Sequence, residues 1–159
     1  MTDNFFKNHE LSLWIFAVGV LVIMTILIGG GIAVFLLTII LERYVGYFSI
    51  MEYFALAGIF SILMVLITSI ANLLIIKGKP RAKQLNIINI YFQIVCYLLF
   101  AMTFEHEDKW LGVLFGVLPL LSLWLMSTQK YHAFVAYYEA LYQDPAGFRE
   151  KLLQRLNNS

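Results

Sequence analysis

Residues 11–41 read LSLWIFAVGVLVIMTILIGGGIAVFLLTIIL, and this stretch decides the class of protein. It contains 31 residues and no Asp, Glu, Lys or Arg. As an α-helix it would extend roughly 46 Å, more than the hydrocarbon core of a bilayer, which is about 30 Å thick. It is also too long for the apolar core of a cleavable signal peptide, so we expect it to remain as a membrane helix. Its three consecutive glycines, residues 29–31, predict a tilt, a bend or a close backbone contact.

Three further apolar runs follow, at residues 51–76, 85–104 and 110–127. The chain is 61% hydrophobic and 13% charged, whereas a soluble domain averages about 45–50% and about 25%. A chain of 159 residues has no interior large enough for this apolar excess, so lipid must cover it. The sequence therefore predicts an all-α integral membrane protein with four transmembrane helices. We expect Pro119 to kink the fourth, and that helix to continue out of the bilayer towards residue 143.

The charges of the connecting loops predict the orientation. Residues 77–83 hold four cations, whereas residues 105–109 are mostly acidic. With the basic loop in the cytoplasm, nine cations lie inside and only Arg43 and Lys109 lie outside. The nine are Lys7, Lys77, Lys79, Arg81, Lys83, Lys130, Arg149, Lys151 and Arg155. We therefore expect both termini in the cytoplasm and a plasma membrane location, with a bacterial inner membrane favoured.

Residues 1–143 form the predicted membrane domain, and residues 144–159 form a separate cytoplasmic tail. Asp144 followed by Pro145 is typical of a helix start, because Asp caps the first turn and Pro fits its first position. Apolar and cationic residues then fall on different faces. The apolar ones are Phe148, Leu152 and Leu156, and the cations are Arg149, Lys151 and Arg155. This pattern predicts an amphipathic helix on an anionic membrane surface, with docking to a partner as the alternative.

Polar side chains inside the apolar runs are the candidate functional residues. Asn86, Asn89 and Gln93 form a helical stripe on the third span, and Asn72 lies at similar depth on the second, near Ser61 and Thr68. Hydrogen bonding between helices is the interpretation we favour, and such bonds average about 0.6 kcal/mol each. The alternative is a cytoplasm-facing cavity that binds a ligand or a partner helix. Glu52 is a further candidate, because it is the ionisable residue closest to the interior of a span and could meet Arg43.

The sequence contains no pattern of catalytic or metal-binding residues that we can identify. Cys96 is the only cysteine, so a disulfide within the chain and a thiolate cluster are both excluded. His9, His106 and His132 fall in different segments on opposite predicted sides of the membrane. Nucleotide-binding and hydrolase motifs are missing, and the cations do not cluster as in a nucleic-acid-binding protein. We predict no catalytic residue, metal, cofactor or nucleic-acid partner.

These features favour two functions over a third, a lipid-modifying enzyme in which Glu52 or the acidic loop would act with lipid headgroups. The first is a non-enzymatic membrane protein that acts by helix–helix or protein–protein contact, with another membrane protein or itself as partner. Such a protein is an accessory subunit of a membrane complex or an immunity-type protein against a membrane-active toxin. The second is a small oligomeric facilitator or transporter that uses the polar stripe between the second and third spans.

Overall fold

A computed structural model describes Phe5, residues 12–104 and residues 109–157, and every regular element in these parts is helical. Residues 105–108 of the predicted acidic loop, which include His106, lie outside the described residues, as do Lys7 and His9. Seven α-helices and one short 3₁₀ turn are described. They are α1 (Leu13–Val45), α2 (Ile50–Ile76), the 3₁₀ turn (Pro80–Ala82), α3 (Lys83–Thr103), α4 (Lys109–Phe115), α5 (Val117–Ser127), α6 (Gln129–Gln143) and α7 (Pro145–Asn157).

Three segments are long and apolar enough to cross a membrane: Leu13–Val45, Ile50–Ile76 and Pro80–Thr103. A fourth crossing is possible only if Gly112–Ser127 and Gln129–Gln143, which meet at a 63° bend, count together as one span. The prediction of an all-helical membrane protein is thus confirmed, with three or four candidate spans in the described part of the chain.

Side-chain caps define the first two helices. Ser12 caps α1, which then runs without interruption through residues 29–31 and ends at Gly46, where φ is 122°. Ser49 and Glu52 form a reciprocal capping box at the start of α2: the Ser49 N–H donates to the Glu52 carboxylate at 2.8 Å. The three consecutive glycines at residues 29–31 do not break α1. Its contacts with the neighbouring helices outweigh the low helix propensity of glycine.

The fourth predicted span departs from expectation in two places. The first interruption lies at Gly116, between α4 and α5, so Pro119 falls in the first turn of α5. Proline is tolerated in a first turn, where an N–H has no partner within the helix. The second is at Thr128, which takes an extended conformation and caps α6 through its hydroxyl. The chain does continue as a helix to residue 143, but this helix, α6, is set at 63° to the preceding one.

α1 is the central helix and packs against α2, α3, α4, α5 and α6. We call the end of the bundle where α2 ends and α3 begins the basic end, and the opposite end the far end. At the basic end, α6 packs against α1, α2 and α5, and its side chains Tyr131 and Phe134 belong to the largest apolar cluster. A second cluster towards the far end joins α1 and α3 through Leu36, Cys96 and Phe100.

Candidate functional site

Five polar side chains form a hydrogen-bonded row between α2 and α3, which we call the amide ladder: Thr68, Asn72, Asn86, Asn89 and Gln93. All five are buried. Asn86 Nδ2 donates to Asn72 Oδ1 at 3.3 Å, and Asn89 Nδ2 donates to the Thr68 hydroxyl at 2.8 Å. The helical spacing of the two helices thus brings together four of the five predicted site residues.

The ladder extends to α1 through its last amide. Gln93 Nε2 donates to the backbone carbonyl of Ile26 at 3.0 Å and to Asn89 Oδ1 at 3.3 Å. One turn further along α3, the Tyr97 hydroxyl donates to the carbonyl of Gly29 at 3.1 Å. A carbonyl in a helix has a second lone pair for such a bond. The ladder therefore joins α2, α3 and the middle of α1.

The first two of the three consecutive glycines permit this approach. A Cβ on Gly29 would lie 2.7 Å from Gln93 Oε1, and one on Gly30 would lie 3.2 Å from Gln93 Nε2. Gly31, by contrast, has no atom within 4 Å of a built Cβ. The sequence allowed a bend or a close contact at these residues, and the structure has the close contact.

Three buried side-chain atoms of the described residues have no hydrogen-bond partner: Asn86 Oδ1, Gln93 Oε1 and the Tyr131 hydroxyl. Tyr131 is 1% exposed, and its hydroxyl lies beside the Asn86 side chain at the basic end of the ladder. Gln93 Oε1 lies beside Gly29, where a Cβ would come within 2.7 Å of it. Most hydrogen bonds of the ladder are thus formed between its own residues. Asn86 Oδ1 and Gln93 Oε1 are left without a donor.

A hydroxyl pair between α1 and α5 was missed by sequence reasoning. Ser122 of α5 donates to Thr25 of α1 at 2.8 Å, and both side chains are buried. Each hydroxyl also bonds to a carbonyl of its own helix, such as that of Leu118 for Ser122. Their positions inside apolar runs were the available signal, but two isolated hydroxyls form no stripe.

Glu52 does not belong to the ladder. It lies in the first turn of α2, where its carboxylate is exposed and bonds to Ser49. Asn72 lies 20 residues further along the same helix, which corresponds to roughly 30 Å. The suggested Arg43 partner instead lies over the ring of Phe104, at 5.3 Å from its centroid. Glu52 therefore acts as a helix cap here.

α6 and α7 cover the basic end of the bundle. The Phe134 ring fills the space beside Gly19, where a Cβ would come within 2.5 Å of the ring. Phe148 of α7 is 1% exposed and contacts Phe5 and Tyr137, with ring centroids 5.7 and 5.2 Å away. The apolar face predicted to lie on a membrane surface or a partner thus packs, at Phe148, against this chain's own aromatic rings.

The chemistry available at the ladder is limited to hydrogen bonding by neutral groups. The described residues contain no group of three or more His, Cys, Asp or Glu side chains that could hold a metal ion. Cys96 is buried, and His132 is exposed on α6. The ladder can hold helices together or bind a neutral polar group, but it has no ionisable side chain for proton transfer.

A small apolar groove of about 40 Å³ lies beside the ladder, between α1 and α2. Its lining residues are small or apolar except for two hydroxyls: Ile26, Leu27, Gly30, Gly31, Ser61, Met64, Val65 and Thr68.

Comparison of the chain with models of known families, with curated proteins and with solved structures finds no match.

Proposed function

We propose that the chain is a non-enzymatic, polytopic membrane protein that acts by contact between its helices and those of another membrane protein or a second copy. It would serve as an accessory subunit of a membrane complex or as an immunity-type protein against a membrane-active toxin. The observation that carries this proposal is the sparsely packed far half of α2, at residues 50–63, which contacts α1 where the Tyr53 ring meets Phe35.

None of residues 50–63 is buried, although most of them are apolar. Ile50, Phe54, Ile59 and Ile62 are each more than 60% exposed. Gly58 lies on the same stretch, and a Cβ there would meet no atom within 4 Å. The fold itself thus gives no reason for a small residue at this position. Small residues in membrane helices commonly permit close approach of a second helix, which supports a contact surface here.

A photo-crosslinking residue placed at Ile62 tests this proposal in the native membrane. We expect one discrete protein adduct, which Gly58→Leu removes without lowering the yield or the melting temperature of the protein. The matched control position is Leu120 of α5, which is also apolar and more than half exposed. Adducts with lipid alone at both positions would contradict a contact function for α2.

The topology proposed with this function has four spans, the last formed by the bent pair Gly112–Ser127 and Gln129–Gln143, and both termini in the cytoplasm of a bacterial cell. The nine-to-two cation bias supports it. Reporter fusions at Pro80 and Ser159 should read cytoplasmic, and a fusion at His106 should read external. A reversed reading at any of the three positions would defeat this orientation.

The alternative function is a small oligomeric facilitator, and the unpartnered buried oxygens of the ladder favour it. Asn86 Oδ1, Gln93 Oε1 and the Tyr131 hydroxyl could bind a neutral polar solute. Proteoliposomes containing the protein should then swell faster in glycerol or urea than protein-free vesicles do, and Asn89→Leu should abolish the difference. Equal swelling rates would leave contact as the proposed function.

A further inference from the structure

The loop between α2 and α3 is a rigid corner, although its four cations in seven residues suggest a flexible, solvated segment. The Gly78 N–H donates to Ile75 O at 2.9 Å, and the Lys79 N–H donates to Leu74 O at 3.0 Å. These two bonds form the Schellman motif that ends many helices, with glycine in the left-handed conformation. Gly78 has a φ of +69°, and the chain then enters the 3₁₀ turn at Pro80.

The corner also packs directly against α6. A Cβ on Gly78 would lie 2.7 Å from Cβ of Tyr142, so the loop backbone rests directly on that side chain. The 3₁₀ turn packs against α2, α3 and α6. The hydrogen bonds within the corner and its contact with α6 therefore fix the backbone that carries the cationic side chains.

Three cations of the corner are exposed: Lys77, Lys79 and Arg81. None of them forms an ion pair within 4.0 Å with an acidic side chain of the described residues. Lys77 also lies at the C-cap of α2, where the helix dipole favours positive charge. The corner thus presents three fixed, unneutralised positive charges in one short segment.

We propose that this corner binds the phosphate of an anionic lipid headgroup. It joins two candidate spans, Ile50–Ile76 and Pro80–Thr103, so it lies where both helices leave the membrane, at headgroup depth. Phosphate is the anion present at that depth, and Arg and Lys are its usual protein partners. Tyr142, whose ring is 63% exposed beside the corner, suits the same amphipathic zone.

The test measures the melting temperature of the purified protein during titration with short-chain phosphatidylglycerol or phosphatidylcholine. The variant K79Q/R81Q removes one Lys and one Arg from the corner. The matched control K130Q/R149Q removes one of each from exposed positions on α6 and α7. All four are surface residues, so the variants should fold, and each is compared with its own melting temperature without lipid.

We expect phosphatidylglycerol to raise the melting temperature more than phosphatidylcholine does. Each surface cation changes the affinity for an anionic surface by about fivefold. Loss of both cations in K79Q/R81Q should therefore raise the half-saturating concentration of phosphatidylglycerol by about 25-fold. K130Q/R149Q removes cations that lie outside the corner, so it should leave this concentration nearly unchanged. Gly78→Ala, which keeps every charge but strains the corner, should weaken the response as well.

Several results would overturn the proposal. Equal responses to the two lipids would exclude a headgroup site, and equal loss in K130Q/R149Q would reduce the effect to total charge. A full response to inorganic phosphate alone would assign the site to a free anion and not to lipid. Stabilisation by an acidic peptide but not by phosphatidylglycerol would assign the corner to a protein partner. A full lipid response in folded Gly78→Ala would show that the fixed geometry is irrelevant.

Discussion

The two halves of α2 have similar apolar character but opposite surroundings. Between Met64 and Ile75 five side chains are buried, among them Thr68 and Asn72, and they face α1 and α3. Between Ile50 and Leu63 none is buried. Lipid can cover an apolar side chain as well as protein can, but it cannot hydrogen-bond to an amide. The difference teaches that polar side chains and close glycine contacts, and not hydropathy, decide which part of a membrane helix is packed.

Gly29→Leu should have the largest effect, because it disrupts the close contact between α1 and the Gln93 end of the amide ladder, to which the packed half of α2 is bonded. A Cβ there would meet Gln93 Oε1 at 2.7 Å, and the longer side chain would force α1 and α3 apart. Overpacking of this kind typically costs about 1–3 kcal/mol. We expect the upper part of that range, measured by thermal or denaturant unfolding in detergent. Gly31→Leu is the matched control and should change stability by less than about 0.5 kcal/mol, because it faces open space. Equal destabilisation by both would disprove the contact.

Phe148→Ala should weaken the packing of α7 against α6 at the basic end without affecting membrane insertion. The Phe148 ring is buried among Phe5 and Tyr137, so its removal leaves a gap between α7 and α6. Because the cluster lies at the edge of the fold, we expect a loss of about 2–3 kcal/mol, somewhat below the roughly 3–5 kcal/mol typical of a buried aromatic ring. Limited proteolysis should then cut α7 much faster than in the wild type or in Leu153→Ala, whose side chain is 59% exposed. Unchanged proteolysis would mean that α7 is held by other contacts.

Asn89→Leu distinguishes a structural ladder from a binding site. It removes the bond to the Thr68 hydroxyl and the acceptor for Gln93. Hydrogen bonds between membrane helices average about 0.6 kcal/mol and reach about 1.7, so we expect a loss in that range. Ser69→Leu, at an exposed position on α2, is the control. A structural role predicts that stability and partner binding fall together, whereas normal stability with lost binding would identify a site.

Ser49→Ala should have the smallest effect, because it acts only on the unpacked half of α2. The Ser49 hydroxyl caps the N–H of Glu52 at 3.3 Å, and loss of such a cap costs about 1 kcal/mol or less. Since this end of α2 has few contacts, we expect local fraying, visible as faster amide hydrogen exchange in the first turn and not as a lower melting temperature. A global loss of stability would show that the far half is coupled to the packed half after all.

The helical spacing of Asn86, Asn89 and Gln93 was sufficient to predict a polar stripe and its neighbour Asn72. It was not sufficient to predict what the stripe contacts. The bond from Gln93 to Ile26 joins residues 67 positions apart, and no local pattern indicates it. Glu52 was selected because of its position near a span, yet the same residue with Ser49 also fits a capping box, and the structure contains that cap.

The sequence by itself determined that the chain is helical and membrane-embedded, because the lengths and hydropathy of its apolar runs leave no alternative for the backbone hydrogen bonds. It also determined the charge bias and the helix start at Asp144. Only the tertiary structure decided that Gly29 and Gly30 lie against the side-chain amide of Gln93, whereas Gly31 faces open space. It also decided that α6 turns by 63° across the basic end, where Phe134 packs beside Gly19. These outcomes depend on contacts between residues distant in sequence, and such contacts leave no periodic signal in either helix.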